Sequence, residues 1–200
     1  MGTKGEETKK SILEAAAFLF WEHSYNLVKV DQIVEKAKVN KATFYRYFKS
    51  KEEVSLEAIA YMYEMNREFI DSEEIHSVEN PIKRLEVLLN SLYEAQKAIF
   101  EKEGKLFGCP FVNMSTEMAN ENEAMREKIV GIFSVFEKYY QELYEEAREK
   151  GLATTKLDPT LMGRQLFGII NATATSSVLK KRPEEYLDAL IIMKILIGAK

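Results

Sequence analysis

Apolar residues recur at three- and four-residue spacing along nearly the whole chain, and little interrupts that rhythm. Four prolines occur in 200 residues, and Pro110, Pro159 and Pro183 sit where helices can begin. The first helical turn tolerates proline because the N–H it lacks would have no partner there. No strand-like alternation persists, no segment repeats, and no low-complexity linker appears. The pattern dictates an all-α chain of about nine helices.

The first helix is expected from about Thr8, a candidate cap, to His23, with Ile12, Ala16, Leu19 and Phe20 as its core stripe. After the loop Ser24 to Val28, a short helix over Val30–Ala37 buries Val30, Ile33, Val34 and Ala37. Asn40 caps another short helix ending near Phe48. Ser50 with Glu53 reads as a capping box opening a fourth helix to Ile70. Further helices are expected over 81–102, with Leu85, Leu88, Leu89, Leu92 and Ile99 inward, then 110–120 and 123–150, the last stopped by Gly151. Asp158-Pro159 and Pro183 open the final two, to about Lys181 and Gly198.

The net charge of −4 is unevenly spread. Met1 to Lys51 carries ten Lys or Arg against six Asp or Glu, so this part is +4 and the remainder −8. Within Lys29–Lys51 seven basic residues face two acidic ones. Such local excess is an electrostatic footprint for nucleic acid. A lone cysteine, Cys109, excludes an intrachain disulfide and fits a reducing cytoplasm. No window reaches the length of an apolar membrane span, and Met1–Lys10 has no apolar export core, so no membrane association is expected.

Three short helices with a tight turn between the second and third form a helix-turn-helix arrangement. On the third, Phe44, Tyr47 and Phe48 share the packing side, while Ala42, Tyr45, Arg46 and Lys49 share the other, flanked by Lys41 and Thr43. A small, basic outer face suits the major groove. The stretch Ile12–Ile59, densest over Val39–Val54 with Lys41-Ala-Thr-Phe-Tyr-Arg-Tyr-Phe and Ser50-Lys-Glu-Glu, resembles the N-terminal domain of TetR/AcrR transcriptional regulators. The resemblance implies a helix-turn-helix domain over 1–52 and an effector-binding and dimerisation domain over 53–200. It places Lys41, Ala42, Tyr45 and Arg46 at bases or flanking phosphates, and Thr43, Tyr45 and Lys51 on the DNA backbone. Lys29 falls where the family touches phosphate. Hydroxyls and ammonium groups fix register, and Arg46 or Lys41 can read guanine. Two positions depart from the family pattern: Lys38 stands where glycine is usual in the turn, and Val34 where a small alanine is usual. The second helix also lacks a Ser or Thr cap.

The family works as a homodimer on double-stranded DNA, and the last two helices, about 159–198, are the expected interface. Tyr186, Leu187, Ala189, Leu190, Ile191, Ile192, Met193, Ile195, Leu196 and Ile197 encircle the final helix almost completely, and a helix apolar all round is covered on every side. Gly168, Ala172, Ala174, Ser176 and Ser177 on the helix before it permit close approach. A small-molecule effector is expected among Tyr93, Phe107, Phe111, Met114, Phe133, Phe136, Tyr140 and Phe167, with Asn171, Asn113 or Gln165 as polar anchors. Each of these also reads as ordinary core. Cys109, in Gly108-Cys109-Pro110 near Lys105, is a candidate redox or electrophile sensor or a small buried residue. His23 and His76 lack metal-ligand spacing, and no cofactor or metal is expected.

With a mostly apolar set of candidate effector residues, the resemblance implies a repressor released from a palindromic operator by a small, largely apolar effector that displaces the fourth helix. The alternative is a helical ligand-binding or scaffolding protein without DNA binding. An enzyme is disfavoured, since no nucleophile elbow, phosphate loop or paired histidines occur.

Overall fold

The computed structural model describes residues 4–200; Met1–Thr3, the start of the segment read as lacking an export core, lie outside the described residues. Ten helices follow one another: α1 Lys4–His23, α2 Val30–Lys36, α3 Lys41–Tyr47, α4 Lys51–Ile70, α5 Glu73–His76, α6 Pro81–Glu103, α7 Pro110–Met118, α8 Glu123–Glu149, α9 Pro159–Lys180 and α10 Glu185–Ile197. No strand occurs among the described residues; Ala153 and Ala199 form an isolated bridge. No helix is long and apolar enough to cross a membrane. The chain divides into two compact units, one reaching Arg67 and taking in Pro110–Val130, the other made of Glu68–Cys109 and Gly131–Lys200.

In the first unit α1 packs on α2 and α7, and α2 on α3. Ile12, Ala16, Phe20, Val28, Ile33, Phe44 and Phe48 are buried and form its core. Val30, expected inside, is only half-buried, because it opens α2 at the edge of that core. α1 starts a turn earlier than Thr8, whose hydroxyl donates back to the Lys4 carbonyl (2.8 Å) instead of capping. Asn40 does cap α3, its Oδ1 accepting the Thr43 N–H at 2.8 Å. At the start of α4 the Ser50 hydroxyl accepts from the Glu53 N–H (3.1 Å), while the Glu53 carboxylate reaches one residue further than a capping box requires, to the Lys49 N–H (2.6 Å). The cap missing from α2 is supplied from within: Gln32 Oε1 accepts the Lys29 N–H at 2.7 Å.

The α2–α3 turn is closed by the Val39 N–H donating to the Val34 carbonyl (2.9 Å) and needs Lys38 at φ 55°. That left-handed conformation costs a residue with a Cβ about 1–2 kcal/mol. Here the departure from glycine is a strain carried in the turn between α2 and α3.

In the second unit α10 packs on α9 and α6, and α5 on α6. The Arg84 guanidinium joins α6 to α8 by an ion pair with Glu146 (2.8 Å) and also donates to the Val78 carbonyl. Burial pushes the Glu146 carboxyl up, but hydrogen bonds and charge from Lys150 and Arg84 together outweigh it and hold it below its ordinary range. Leu92 and Ile99, read as inward, are half-buried, because the inward row on α6 continues through Gln96. α9 approaches α8 backbone to side chain: a Cβ on Gly163 would stand 2.4 Å from the Glu137 carbonyl oxygen and 2.9 Å from Gln141. α10 begins at Glu185, two residues past the proline expected to open it, because Pro183 and Glu184 are spent in a turn. Its end is tied back to the α8–α9 connection by Thr154 donating to the Gly198 carbonyl (2.9 Å), and Tyr144 donates to the Thr155 carbonyl (2.7 Å).

Two stability changes are expected from this geometry. Lys38→Gly relieves the turn and raises the unfolding free energy by about 1 kcal/mol, read from denaturant midpoints at unchanged slope. Gly163→Ala forces α8 and α9 apart, costs about 1–3 kcal/mol, and lowers Tm by several degrees in calorimetry.

Candidate nucleic-acid interface

α3 has seven residues, too few to be helical on its own. It is held by Phe44 and Phe48, both fully buried with ring centroids 5.7 Å apart. Two anchors on one side leave the opposite side outward. Lys41, Ala42, Tyr45 and Arg46 are exposed there, Tyr45 at 52%, and Thr43 is half-exposed. Lys49 is exposed just beyond the helix, and Lys29 at the start of α2. Tyr47, expected to pack with the phenylalanines, is half-buried, and its hydroxyl accepts from Arg46 at 3.2 Å with the guanidinium 5.0 Å over its ring. Arg46 is therefore parked beside Tyr47, within a side-chain rotation of the outward face.

Two lysines differ in availability. Lys41 Nζ pairs with Asp31 of α2 at 2.6 Å, which raises its pKa. Lys51 is more deeply committed. Its ammonium donates to the Tyr25 and Val28 carbonyls, both at 3.1 Å, and lies 4.1 Å over the Tyr25 ring. Burial lowers its pKa, and Tyr25 beside it is raised by burial and by Glu52. An ammonium has three donors, and two of them staple the α1–α2 loop.

A polar network unseen in the sequence surrounds that staple. Glu117 of α7 accepts the Asn26 N–H at 3.1 Å, and Asn122 donates to Glu52 at 2.6 Å. These partners lie far apart in sequence, and no motif marks them.

The residues expected around an effector divide between the units. Phe111 and Met114, both buried, and half-buried Asn113 belong to the first. Phe107, Phe133, Phe136, Tyr140, Phe167, Tyr93 and Asn171 belong to the second. The Phe167 ring gathers Phe133 (5.0 Å), Phe136 (5.5 Å) and Tyr140 (6.4 Å). Tyr93 is half-buried beneath the Lys97 ammonium. Gln165, proposed as an interior anchor, is exposed, because it lies on the α9 face opposite Phe167. Cys109 is half-buried close to Tyr186, while the Lys105 ammonium lies over the Phe107 ring at 5.4 Å. Among the described residues no cluster of His, Cys, Asp or Glu is arranged to hold a metal.

Two family models match the chain. Residues 12–58 match the model for bacterial regulatory proteins of the tetR family, and residues 81–193 match the tetracyclin repressor-like C-terminal domain. Among curated relatives, the transcriptional regulator AcuR of Cereibacter sphaeroides is 23% identical over 88% of this chain and 78% of its own length. An HTH-type regulator from the lacX 3' region of Lactococcus lactis is 28% identical over 66% of this chain, the match spanning 65% of that protein. Among solved structures, E. coli NemR in its reduced form superposes with a TM-score of 0.80 at 21% identity, over 96% of this chain and 99% of that one. A TetR regulator from Rhodobacter sphaeroides does so with a TM-score of 0.81 at 23% identity, over 94% and 96%. The outward basic face of a buried-anchor helix, and family models covering both parts of the chain, lead to one conclusion: this protein belongs to the TetR family of DNA-binding, non-enzymatic transcriptional regulators.

Proposed function

We propose that this chain is a cytoplasmic homodimeric repressor, released from a palindromic operator by a small, largely apolar effector. In this reading residues 1–52 bind DNA and residues 53–200 take the effector and form the dimer. The observation that carries it is the division of α3: Phe44 and Phe48 fully buried, Tyr45 and Arg46 turned to solvent. Lys41, Ala42, Tyr45 and Arg46 meet the major groove, while Thr43, Lys29 and the third donor of Lys51 hold phosphates.

The dimer reading is supported by an apolar face left open. α10 buries Tyr186, Ala189, Met193 and Ile197 within its own chain, yet Ile191, Ile192 and Ile195 are 57%, 54% and 69% exposed. On α9 Leu161, Gly168, Ala172, Thr175 and Leu179 form an exposed, uncharged stripe at helical spacing. Such a face is an association surface, and a second copy of this chain is the occupant that a two-fold operator requires. Paired recognition helices then sit about 34–36 Å apart, one turn of duplex. Effector binding alters that separation through α4, and the Glu117–Asn26 and Asn122–Glu52 contacts tie α7 and the loop after it to the α1–α2 loop and to α4. Release can be no larger than the effector's preference for one state over the other.

Selection from a random-sequence duplex library, followed by fluorescence anisotropy at several salt concentrations, tests the DNA reading. The expected result is an inverted repeat bound with steep salt dependence. Arg46→Ala should cost about 1–3 kcal/mol and relax preference at one base pair, whereas Lys29→Ala should weaken all sequences alike and flatten the salt slope. Enrichment of no sequence would reject it. For the dimer, Ile195→Glu should give a monomer of half the mass in sedimentation equilibrium and abolish operator binding; an unchanged dimer would refute this interface.

A further inference from the structure

Buried side-chain polar atoms in a folded chain are nearly always hydrogen-bonded, because each unpaired one costs its full desolvation. In the second unit Gln96 Oε1 on α6 and Asn171 Oδ1 on α9 are buried and lack any partner. Gln96 is only 8% exposed, in the inward row that otherwise carries Leu85, Leu88 and Leu89. A leucine there would be the simpler core residue. A third unpaired group, the Tyr139 hydroxyl, stands apart, among the charges of Arg84, Asp71 and Glu146.

Helix registers bring the two amides to one level. Arg84 pairs with Glu146 and, further back along the chain, the Glu79 carbonyl accepts from Lys150, so α6 and α8 run antiparallel and Gln96 stands level with Ser134. Gly163 packs against Glu137 and Gln141, so antiparallel α9 sets Asn171 at nearly the same height on α8. Phe133 and Phe136 occupy that height and meet Phe167, one turn from Asn171. Nearby Tyr140, Ser177 and Tyr186 are buried and uncharged. Burial pushes the Tyr140 and Tyr186 phenols well above their ordinary range, which marks an interior hostile to ions.

We propose that the aromatic interior around Phe167 binds a neutral, hydroxylated aromatic molecule whose O–H groups donate to Gln96 and Asn171. The assignment rests on the ligand-responsive reading above and names the chemistry that reading leaves open. The apolar ring of the ligand packs on Phe133, Phe136 and Phe167, and its hydroxyls fill the acceptor sites that the protein leaves unmet. A charged ligand would have no counter-ion among these groups. A purely hydrocarbon ligand would leave both oxygens unpaired.

Isothermal titration calorimetry of the full chain with 2,7-dihydroxynaphthalene, which has a donor for each oxygen, and with its dimethyl ether, which has the same rings and no donor, tests this. The phenol should bind at least about tenfold more tightly. Gln96→Met together with Asn171→Leu should erase that preference while retaining the ether. Gln96→Met alone should halve the preference in logarithmic terms and raise the ligand-free Tm, where a structural role for Gln96 would lower it. Equal affinities in the native chain, binding of neither probe, or an unchanged preference in the variants would overturn the assignment. Operator titration with the same probes separates the two readings. Tight, hydroxyl-dependent binding that leaves operator affinity unchanged strikes ligand control and upholds this site. Operator release by the ether as effectively as by the phenol overturns the site and upholds ligand control.

Discussion

Phe44 and Phe48 carry a burden out of proportion to their size. A seven-residue helix has too few internal hydrogen bonds to repay its nucleation, so α3 exists because two fully buried rings pull it onto α1 and α2. Those rings also decide its rotation. Once they point inward, Lys41, Ala42, Tyr45 and Arg46 must point out, and the exposed basic surface follows from packing alone. Capping by Asn40 then fixes where the helix begins, and with it which residues reach furthest.

Around this anchor the basic residues are held rather than free. Asp31 keeps Lys41, Tyr47 keeps Arg46, and the loop carbonyls of Tyr25 and Val28 keep Lys51. Exposed pairs such as Lys41–Asp31 are worth little in stability. Their effect is on ordering: each cation is held in a defined place by a weak partner. Lys51 is the exception, since surrendering its carbonyl bonds would release the loop between α1 and α2. Glu117 and Asn122 hold the same neighbourhood from the other side, so loop, α4 and α7 share one polar network.

The second unit spends stability differently. Gly163 allows α8 and α9 to approach so closely that no Cβ fits, a contact that rewards packing. Gln96 and Asn171, in the same unit, leave oxygens unpaired in the interior. A core optimised for stability alone would contain the first and not the second. Natural proteins keep such costs where function requires them. The exposed isoleucines of α10 are a cost of the same kind in the isolated chain, an apolar face with nothing of its own to cover it.

Much of this was written locally in the chain. Helical periodicity, proline placement, the Asn40 cap, the inward Phe44 and Phe48 and the outward Tyr45 and Arg46 all depend on neighbours within one or two turns, and each could be read from the sequence. The Lys38 turn was legible for the same reason, although its φ of 55° became a fact only in the fold. α5 was missed because four residues, Glu73–His76, are too few to show a period. The Thr8 cap, the inward Leu92 and Ile99 and the interior Gln165 were misplaced by small errors of start or angle, which periodicity cannot resolve. What tertiary structure alone decided are contacts between distant residues: Lys51 on the Tyr25 and Val28 carbonyls, Asn122 on Glu52, Gly163 against Glu137, and the unpaired oxygens of Gln96 and Asn171. A side chain's type announces what it can bond to. Which partner it finds, or fails to find, depends on where helices far apart along the chain come to lie, and local sequence holds no record of that.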